Sequence, residues 1–219
     1  MGSMIRCLVA ALAVLWLAAP VSLAAQLKAD LREDRVALPA GEAVYPVVRL
    51  GDAEAARRIN DVLKKEVDAF CLQVKQDARA GRGAEGKLGY RVTCNKAGTF
   101  SCILEEERKT RKGGSPVIRQ KAYVFKLSSG QRATYHDVWA VAAAAGKRKL
   151  YDRNGLVENL YSQTRRAGIA MPEEFKGIAY PPANFYLDGK LRFHMLLQPG
   201  EVTDAATGVL DIDLDEENW

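Results

Sequence analysis

The sequence is poor in the residues from which metal and catalytic sites are usually built. Its 219 residues include only two histidines, His136 and His194, and four cysteines. The cysteine spacing fits no zinc-binding pattern, so we expect no metal site. His136 and Asp137 are adjacent, but neighbouring residues of a strand point to opposite faces and cannot act together as an acid–base pair. We therefore expect no catalytic residues, no cofactor and no enzymatic activity.

Long hydrophobic runs are also scarce, and the one present lies at the N-terminus. Residues 4–6 give a short positive start, residues 7–19 are apolar, and residues 22–24 offer the small side chains that signal peptidase requires. The run is too short for a membrane span, which needs roughly 18 apolar residues or more. We therefore expect residues 1–25 to be a signal peptide and residues 26–219 to be secreted or periplasmic, without a membrane span.

Three cysteines would remain after processing, namely Cys71, Cys94 and Cys102. An odd number in an oxidising compartment indicates one disulfide and one free thiol. Cys94 and Cys102 lie on the two arms of one predicted hairpin, so we favour a bridge between them. Such a bridge forms only if the turn places the two residues directly opposite each other. Because Cys71 could reach either of them, the pairing stays open.

The hydrophobic pattern predicts an α+β fold. Residues 52–78 carry apolar side chains at three- and four-residue steps, which is typical of a long amphipathic helix capped by Asp52. Residues 89–139 consist of short alternating runs separated by turn residues, which indicates an antiparallel meander with one buried and one solvated face. We expect the helix to pack on this sheet.

The C-terminal part adds further elements to this fold. A second helix is predicted at about residues 150–167. A hairpin with a favoured Asp188-Gly189 turn follows at residues 184–197, and residues 208–214 form a closing strand. No internal repeat or long linker is present, so we expect residues 26–219 to form a single domain. A division into two lobes, 26–146 and 147–219, stays open.

Positive charge is in slight excess, with a formal net charge of +5 at pH 7. The densest cationic segment follows three glutamates and ends in two glycines, whose backbone amides could meet an anion. A solvated loop without a function explains the same residues. The residues of this candidate anion or partner patch are Arg108, Lys109, Arg111, Lys112, Gly113 and Gly114.

The order and spacing of these segments resemble a family of exported bacterial domains. The matching segments are residues 45–48, 89–93, 100–104, 113–114, 123–130, 137–139, 184–193, 198–201, 205–208 and 209–214. The family resembled includes the extracellular domain of the anti-sigma factor RsiV, a domain that precedes the catalytic domain of some peptidoglycan deacetylases, and exported proteins of unknown function. Family members often carry a histidine after the paired glycines. Here Ser115 and Pro116 follow Gly114, so no role of that histidine is carried over.

The resemblance implies a non-catalytic recognition domain of the bacterial cell envelope. Its partner would be a protein such as lysozyme, which the RsiV domain senses, or a cell-wall glycan. Lysozyme is strongly basic, so long-range electrostatics would oppose its binding unless a local acidic face such as Asp211, Asp213, Asp215 and Glu216 took part. Two alternatives stay open, a hydrolase acting on cell-wall material and a binder of anionic polymers through the basic patch. We expect no nucleic-acid partner, and the oligomeric state is not predicted.

Overall fold

The computed structural model of the protein describes residues 27–82, 85–109, 114–146, 153–172, 175 and 177–215. The predicted signal peptide lies outside these residues, and so do Arg111, Lys112 and Gly113 of the candidate patch. Within the described part, no helix combines the length and apolar character needed to cross a membrane.

A five-stranded sheet forms the centre of the fold. Its strands, in spatial as well as chain order, are β1 (Asp30–Leu38), β2 (Gly41–Arg49), β3 (Glu85–Lys96), β4 (Thr99–Lys109) and β5 (Val117–Lys126). All neighbouring pairs are antiparallel except β2 and β3, which are parallel. Parallel neighbours require a crossover connection. Here the crossover is α1 (Ala53–Arg79).

Helix α1 covers one face of this sheet, as the sequence predicts. The Asp52 side chain accepts hydrogen bonds from the amides of Glu54 and Ala55 and so caps the first turn. A buried apolar stripe runs down the helix and packs against strands β2 to β5; its members are Ile59, Leu63, Val67, Phe70, Cys71 and Val74. The prediction of a long amphipathic helix packed on the sheet is confirmed.

A second layer covers the opposite face. It contains α2 (Tyr135–Ala144), α3 (Arg153–Arg166) and a three-stranded antiparallel sheet of β6 (Phe185–Leu187), β7 (Phe193–Leu197) and β8 (Leu210–Asp213). The predicted C-terminal hairpin and closing strand are thus confirmed. Ile103, Ala122 and Val124 of β4 and β5 pack into this second core. The expectation of one solvated sheet face is therefore wrong for the central strands, because the C-terminal elements fold back over it.

Helix α2 begins inside the segment, residues 89–139, that the sequence pattern assigns to the meander. Thr134 and Asp137 form a capping box, in which each side chain bonds the backbone amide of the other. His136 therefore lies in the first turn of a helix and not at the end of a strand. The argument that strand alternation separates His136 from Asp137 does not apply to this geometry.

The Cys94–Cys102 disulfide is not present, and the three cysteines in the described part of the chain are free thiols. A register shift between Val92 and Cys94 places Val92 opposite Cys102 and Cys94 opposite Ser101. This bulge turns Cys94 toward the core under β6 and β7, whereas Cys102 packs under α1. The two thiols lie on opposite faces of the sheet, so no disulfide can join them in this fold. Burial raises the pKa of Cys102 to about 12.

Candidate functional site

A groove of about 900 Å³ follows the outer edge of β5. This strand is the last in the five-stranded sheet, so its outer edge has no neighbouring strand. Residues 115–123 form one wall of the groove, and Ala183, Asn184, Gln198, Pro199 and Ala205 contribute to the other. We call this concavity the β5-edge groove.

Two side-chain amides close the middle of the β5 edge in the way that a neighbouring strand would. Asn184 Oδ1 accepts from the amide of Ala122 at 2.7 Å, and its Nδ2 donates to the carbonyl of Gln120 at 2.9 Å. The Gln198 side chain accepts from the Gln120 amide at 3.1 Å and donates to the Gln120 carbonyl at 2.7 Å. A buried edge must satisfy its backbone groups, and these two residues supply the partners.

The far end of β5 is also closed. The amide of Ala133 donates to the carbonyl of Val124 at 2.7 Å, and the amide of Lys126 donates to the carbonyl of Gln131 at 2.9 Å. From Gln120 to Lys126, most of the outward backbone groups of the strand therefore have partners inside the protein. The edge is protected along this length, as natural sheets usually are.

The beginning of β5 is left open. Outward and inward backbone groups alternate along an antiparallel edge strand, so the Ile118 amide and carbonyl point outward like those of Gln120. Among the described residues, no hydrogen bond reaches these two groups from outside the sheet. Val117 and Ile118 are also 42% and 47% exposed. This stretch combines free backbone groups with exposed apolar side chains, which is the character of a pairing site.

The charges in the groove are unevenly compensated. Lys121 lies between Glu66 at 3.1 Å and Glu106 at 2.9 Å, so its charge is neutralised. The Arg132 guanidinium lies 4.9 Å from the centre of the Tyr123 ring, a cation–π contact. Neither Arg119 nor Arg132 forms an ion pair with a described carboxylate. The groove therefore offers two unpaired positive charges.

The structure describes three of the six residues of the candidate anion or partner patch, Arg108, Lys109 and Gly114. Arg108 donates to the buried Asp77 carboxylate at 2.7 Å, and Lys109 is paired with Glu85. Their charges are therefore compensated within the protein. Gly114 is partly exposed, whereas Arg111, Lys112 and Gly113 lie outside the described residues. Arg119, which lies seven residues beyond Lys112 and was not included in the patch, lines the β5-edge groove instead.

A polar cluster surrounds His194 on the second sheet. The Nδ1 atom of His194 lies 3.1 Å from Asp211, which also accepts a hydrogen bond from the Tyr186 hydroxyl at 2.6 Å. The His194 ring stacks on Tyr186 with 4.6 Å between centroids. Asp188 lies 3.6 Å from His194 Nε2 and is held by Arg192 at 2.8 Å. Each of these carboxylates already bonds a neighbouring side chain, so the geometry is that of a structural network.

His136 takes no part in this cluster. A two-histidine site would require its ring to lie beside that of His194. His136 contacts the edge of the Tyr135 ring at the start of α2, 5.7 Å between centroids. In the part of the chain that the structure describes, no group of three or more His, Cys, Asp or Glu side chains is arranged to hold a metal ion.

The cluster makes stability depend on pH in a defined direction. Burial lowers the pKa of His194, but the hydrogen bond to Asp211 and the charges of Asp211, Asp213 and Asp188 outweigh it, so the pKa is raised. A raised pKa stabilises the folded state below the unfolded value of about 6.5, and this stabilisation is lost as pH rises through the folded value. Asp211 titrates at lower pH, since His194 and Tyr186 overcome burial and lower its pKa.

We predict that the stability difference between the protein and a His194→Gln variant is largest near pH 5.5 and shrinks as pH rises to 8. Urea unfolding of both proteins across this range measures the difference. The Asp211→Asn variant is the control, because without this carboxylate the His194 contribution should lose much of its pH dependence. Parallel stability curves for the parent protein and His194→Gln from pH 5.5 to 8 would contradict the assignment.

Comparison with known proteins gives a fold and no activity. No family model matches the sequence, and no curated protein matches it. Among solved structures, a member of the DUF3298 family from Bacteroides fragilis matches with a TM-score of 0.53 at 12% identity, over 85% of this chain and 89% of that one. A DUF3298 family protein from Pseudomonas aeruginosa matches with a TM-score of 0.48 at 10% identity, over 86% and 90% of the two chains.

The likeness to the Bacteroides structure shows a shared α+β fold with a member of an uncharacterised domain family. At 12% identity it shows nothing further about binding or chemistry. The resemblance to the RsiV extracellular domain stays a prediction from the sequence.

Proposed function

We propose that the protein is an exported, non-catalytic recognition domain of the bacterial cell envelope and that it binds its partner in the β5-edge groove. The observation that carries this proposal is the open start of β5. Asn184 and Gln198 bond the same edge at Gln120 and Ala122, yet no described residue bonds the outward backbone groups of Ile118, which lie beside a groove of about 900 Å³. An unprotected apolar edge is an aggregation hazard unless a partner covers it.

Export and envelope location are supported by the sequence. The apolar N-terminal segment ends in small residues suited to signal peptidase, and the chain resembles the exported RsiV-like domains along its length. The DUF3298 fold is compatible with this resemblance, since that family is itself defined without a known function.

The absence of catalysis is supported by the state of the ionisable groups at the groove. Lys121 is held between two glutamates, and Arg132 stacks on Tyr123. The pKa of Tyr123 is raised, chiefly by burial, so this hydroxyl is a poor proton donor at neutral pH. Anionic-polymer binding through the cationic patch has less support, because Arg108 and Lys109 already hold carboxylates.

Calorimetry tests the proposal with residues 26–219 and three probes: lysozyme, soluble peptidoglycan fragments and a random peptide library. We expect one of these to bind and to lose at least about tenfold in affinity when Val117 and Ile118 are both replaced by serine. The matched control is Leu72→Ser, since Leu72 is an exposed apolar residue of α1 that does not line the groove. Binding by none of the probes, or binding unaffected by the groove substitutions, would overturn the proposal.

A further inference from the structure

Resting on the proposed function, we infer that the partner is an extended acidic polypeptide segment that adds to the sheet as a strand beside Val117–Arg119. The open backbone groups carry the first part of this inference. The outward amide and carbonyl of Ile118 form one donor–acceptor pair of the kind that a residue on an adjacent strand engages with two hydrogen bonds. Pro116 has no amide hydrogen, so the donor pattern ends there.

The side-chain amides farther along β5 show where an added strand would lie. Asn184 and Gln198 place amide oxygens and nitrogens next to Gln120 and Ala122, in the plane in which a neighbouring strand would offer its own peptide groups. A polypeptide strand paired with Ile118 would extend this row of amide groups along β5 toward Val117. Strand addition of this kind takes its affinity from main-chain hydrogen bonds and its selectivity from alternate side chains.

The apolar side chains and the charges define the segment further. Val117 and Ile118 point to opposite faces of the strand, so an added strand covers exposed apolar surface on both sides. Arg119 and Arg132 lack carboxylate partners among the described residues, whereas Glu66 is taken up by Lys121. An acidic segment with β-branched residues complements this surface, and a basic segment is disfavoured.

The charge pattern also speaks against a second copy of the chain as the occupant. Two β5 edges paired antiparallel about Ile118 would bring the two copies of Arg119 to the same short ladder. In this register each Arg119 lies opposite Val117 of the other copy, and the two Arg119 side chains are diagonal neighbours on the same face, about 7–8 Å apart, where their like charges repel. An acidic segment from another polypeptide avoids this repulsion.

Ile118→Pro tests the backbone pairing directly. Because the Ile118 amide points outward, proline removes the donor for the partner without removing a hydrogen bond to β4, and edge strands tolerate proline at such positions. Ile118→Val is the matched control, since it keeps both the amide and a β-branched apolar side chain. Arg119→Glu tests the charge and leaves the backbone unchanged. Urea unfolding of each variant checks that the fold is retained.

The probe is a random dodecapeptide library displayed for selection against residues 26–219, followed by fluorescence anisotropy of the selected peptides. We expect peptides enriched in acidic and β-branched residues. Their affinity should fall at least about tenfold for Ile118→Pro and for Arg119→Glu, and should change less than about threefold for Ile118→Val.

Three outcomes would overturn the inference. Selected peptides could be basic, their affinity could be the same for Ile118→Pro and Ile118→Val, or sedimentation could show a dimer of the protein that Ile118→Pro dissociates. The inference of strand addition can fail while the proposed function holds. Peptidoglycan fragments that lose affinity with the Val117 and Ile118 serine substitutions, but bind Ile118→Pro as well as Ile118→Val, would keep the groove as a recognition site and exclude strand addition.

Discussion

Replacing Gly130 with alanine is expected to lower the free energy of unfolding by about 2 to 5 kcal/mol, from left-handed backbone strain of about 1–2 kcal/mol and overpacking of about 1–3 kcal/mol. Gly130 follows β5 in a turn with φ of +68°, a conformation that side chains with a Cβ rarely adopt. A Cβ at this position would lie 2.1 Å from the carbonyl oxygen of Ala55 and 2.8 Å from its Cα. Since these are backbone atoms of the first turn of α1, the helix itself would have to move.

Gly81→Ala is the matched control for this prediction. Gly81 has nearly the same backbone angle, φ of +67°, but a Cβ there meets no atom within 4 Å. It should therefore lose only the strain of about 1–2 kcal/mol. Urea unfolding of the two variants isolates the cost of the contact between the β5 turn and α1. Equal losses in both variants would show that α1 and this turn do not meet as the structure has them.

Local sequence patterns were sufficient to predict helices and turns whose formation depends on a single segment of the chain. The apolar stripe of α1 repeats at helical spacing and is found as expected. The hairpin at Asp188-Gly189 is found as well, but its connection runs from residue 188 to residue 192, with the left-handed backbone angle at Leu191 and not at Gly189. The turn at Gly130 lies within residues 89–139, where turns between short strands were predicted. Its contact with Ala55 was not, because that contact joins residues 75 positions apart and leaves no mark on the spacing of either segment.

The position of Cys94 shows how one extra residue in a strand makes a prediction from side-chain alternation wrong. Strict period-two counting places Tyr90, Val92 and Cys94 on one face of β3. The bulge after Val92 adds one residue to β3 relative to β4 and turns Cys94 to the other face. The local sequence does not indicate the bulge, since a cysteine on either face of β3 at this position would be buried.

The β5-edge groove was beyond sequence reasoning for a related reason. It depends on Asn184 and Gln198, which reach β5 from 62 to 78 positions away in the chain. Asparagine before a strand and glutamine before Pro199 are ordinary residues, and only the fold reveals that both bond the same edge. The Val117-Ile118 pair gave no signal in the sequence, because β-branched residues are common in strands and only the fold shows that both are exposed at a sheet edge.

A buried carboxylate at the end of α1 provides the second large effect. Asp77 is 2% exposed and accepts hydrogen bonds from Arg82 at 3.1 Å and from Arg108 at 2.7 Å. A negative charge in the last turn of a helix is unfavourable toward the helix dipole, so these two arginines supply its compensation. Arg108 belongs to β4, and the pair therefore ties the C-terminal end of α1 to the sheet.

Asp77→Ala is expected to lower the free energy of unfolding by about 2–3 kcal/mol, because it leaves Arg108, whose side chain is only 23% exposed, without its counter-charge. Asp68→Ala is the control on the same helix. Asp68 pairs with Lys64 at 2.8 Å, but both side chains are more than half exposed, so its loss should change stability by less than about 0.5 kcal/mol. The gain in helix propensity is the same in both variants, but Asp77→Ala also relieves the unfavourable interaction with the helix dipole, so the difference in urea unfolding is a lower bound on the contribution of the buried pair. If the two variants lose equal stability, Asp77 does not compensate Arg108 in the folded protein, and Arg108 would then be free to join a cationic surface.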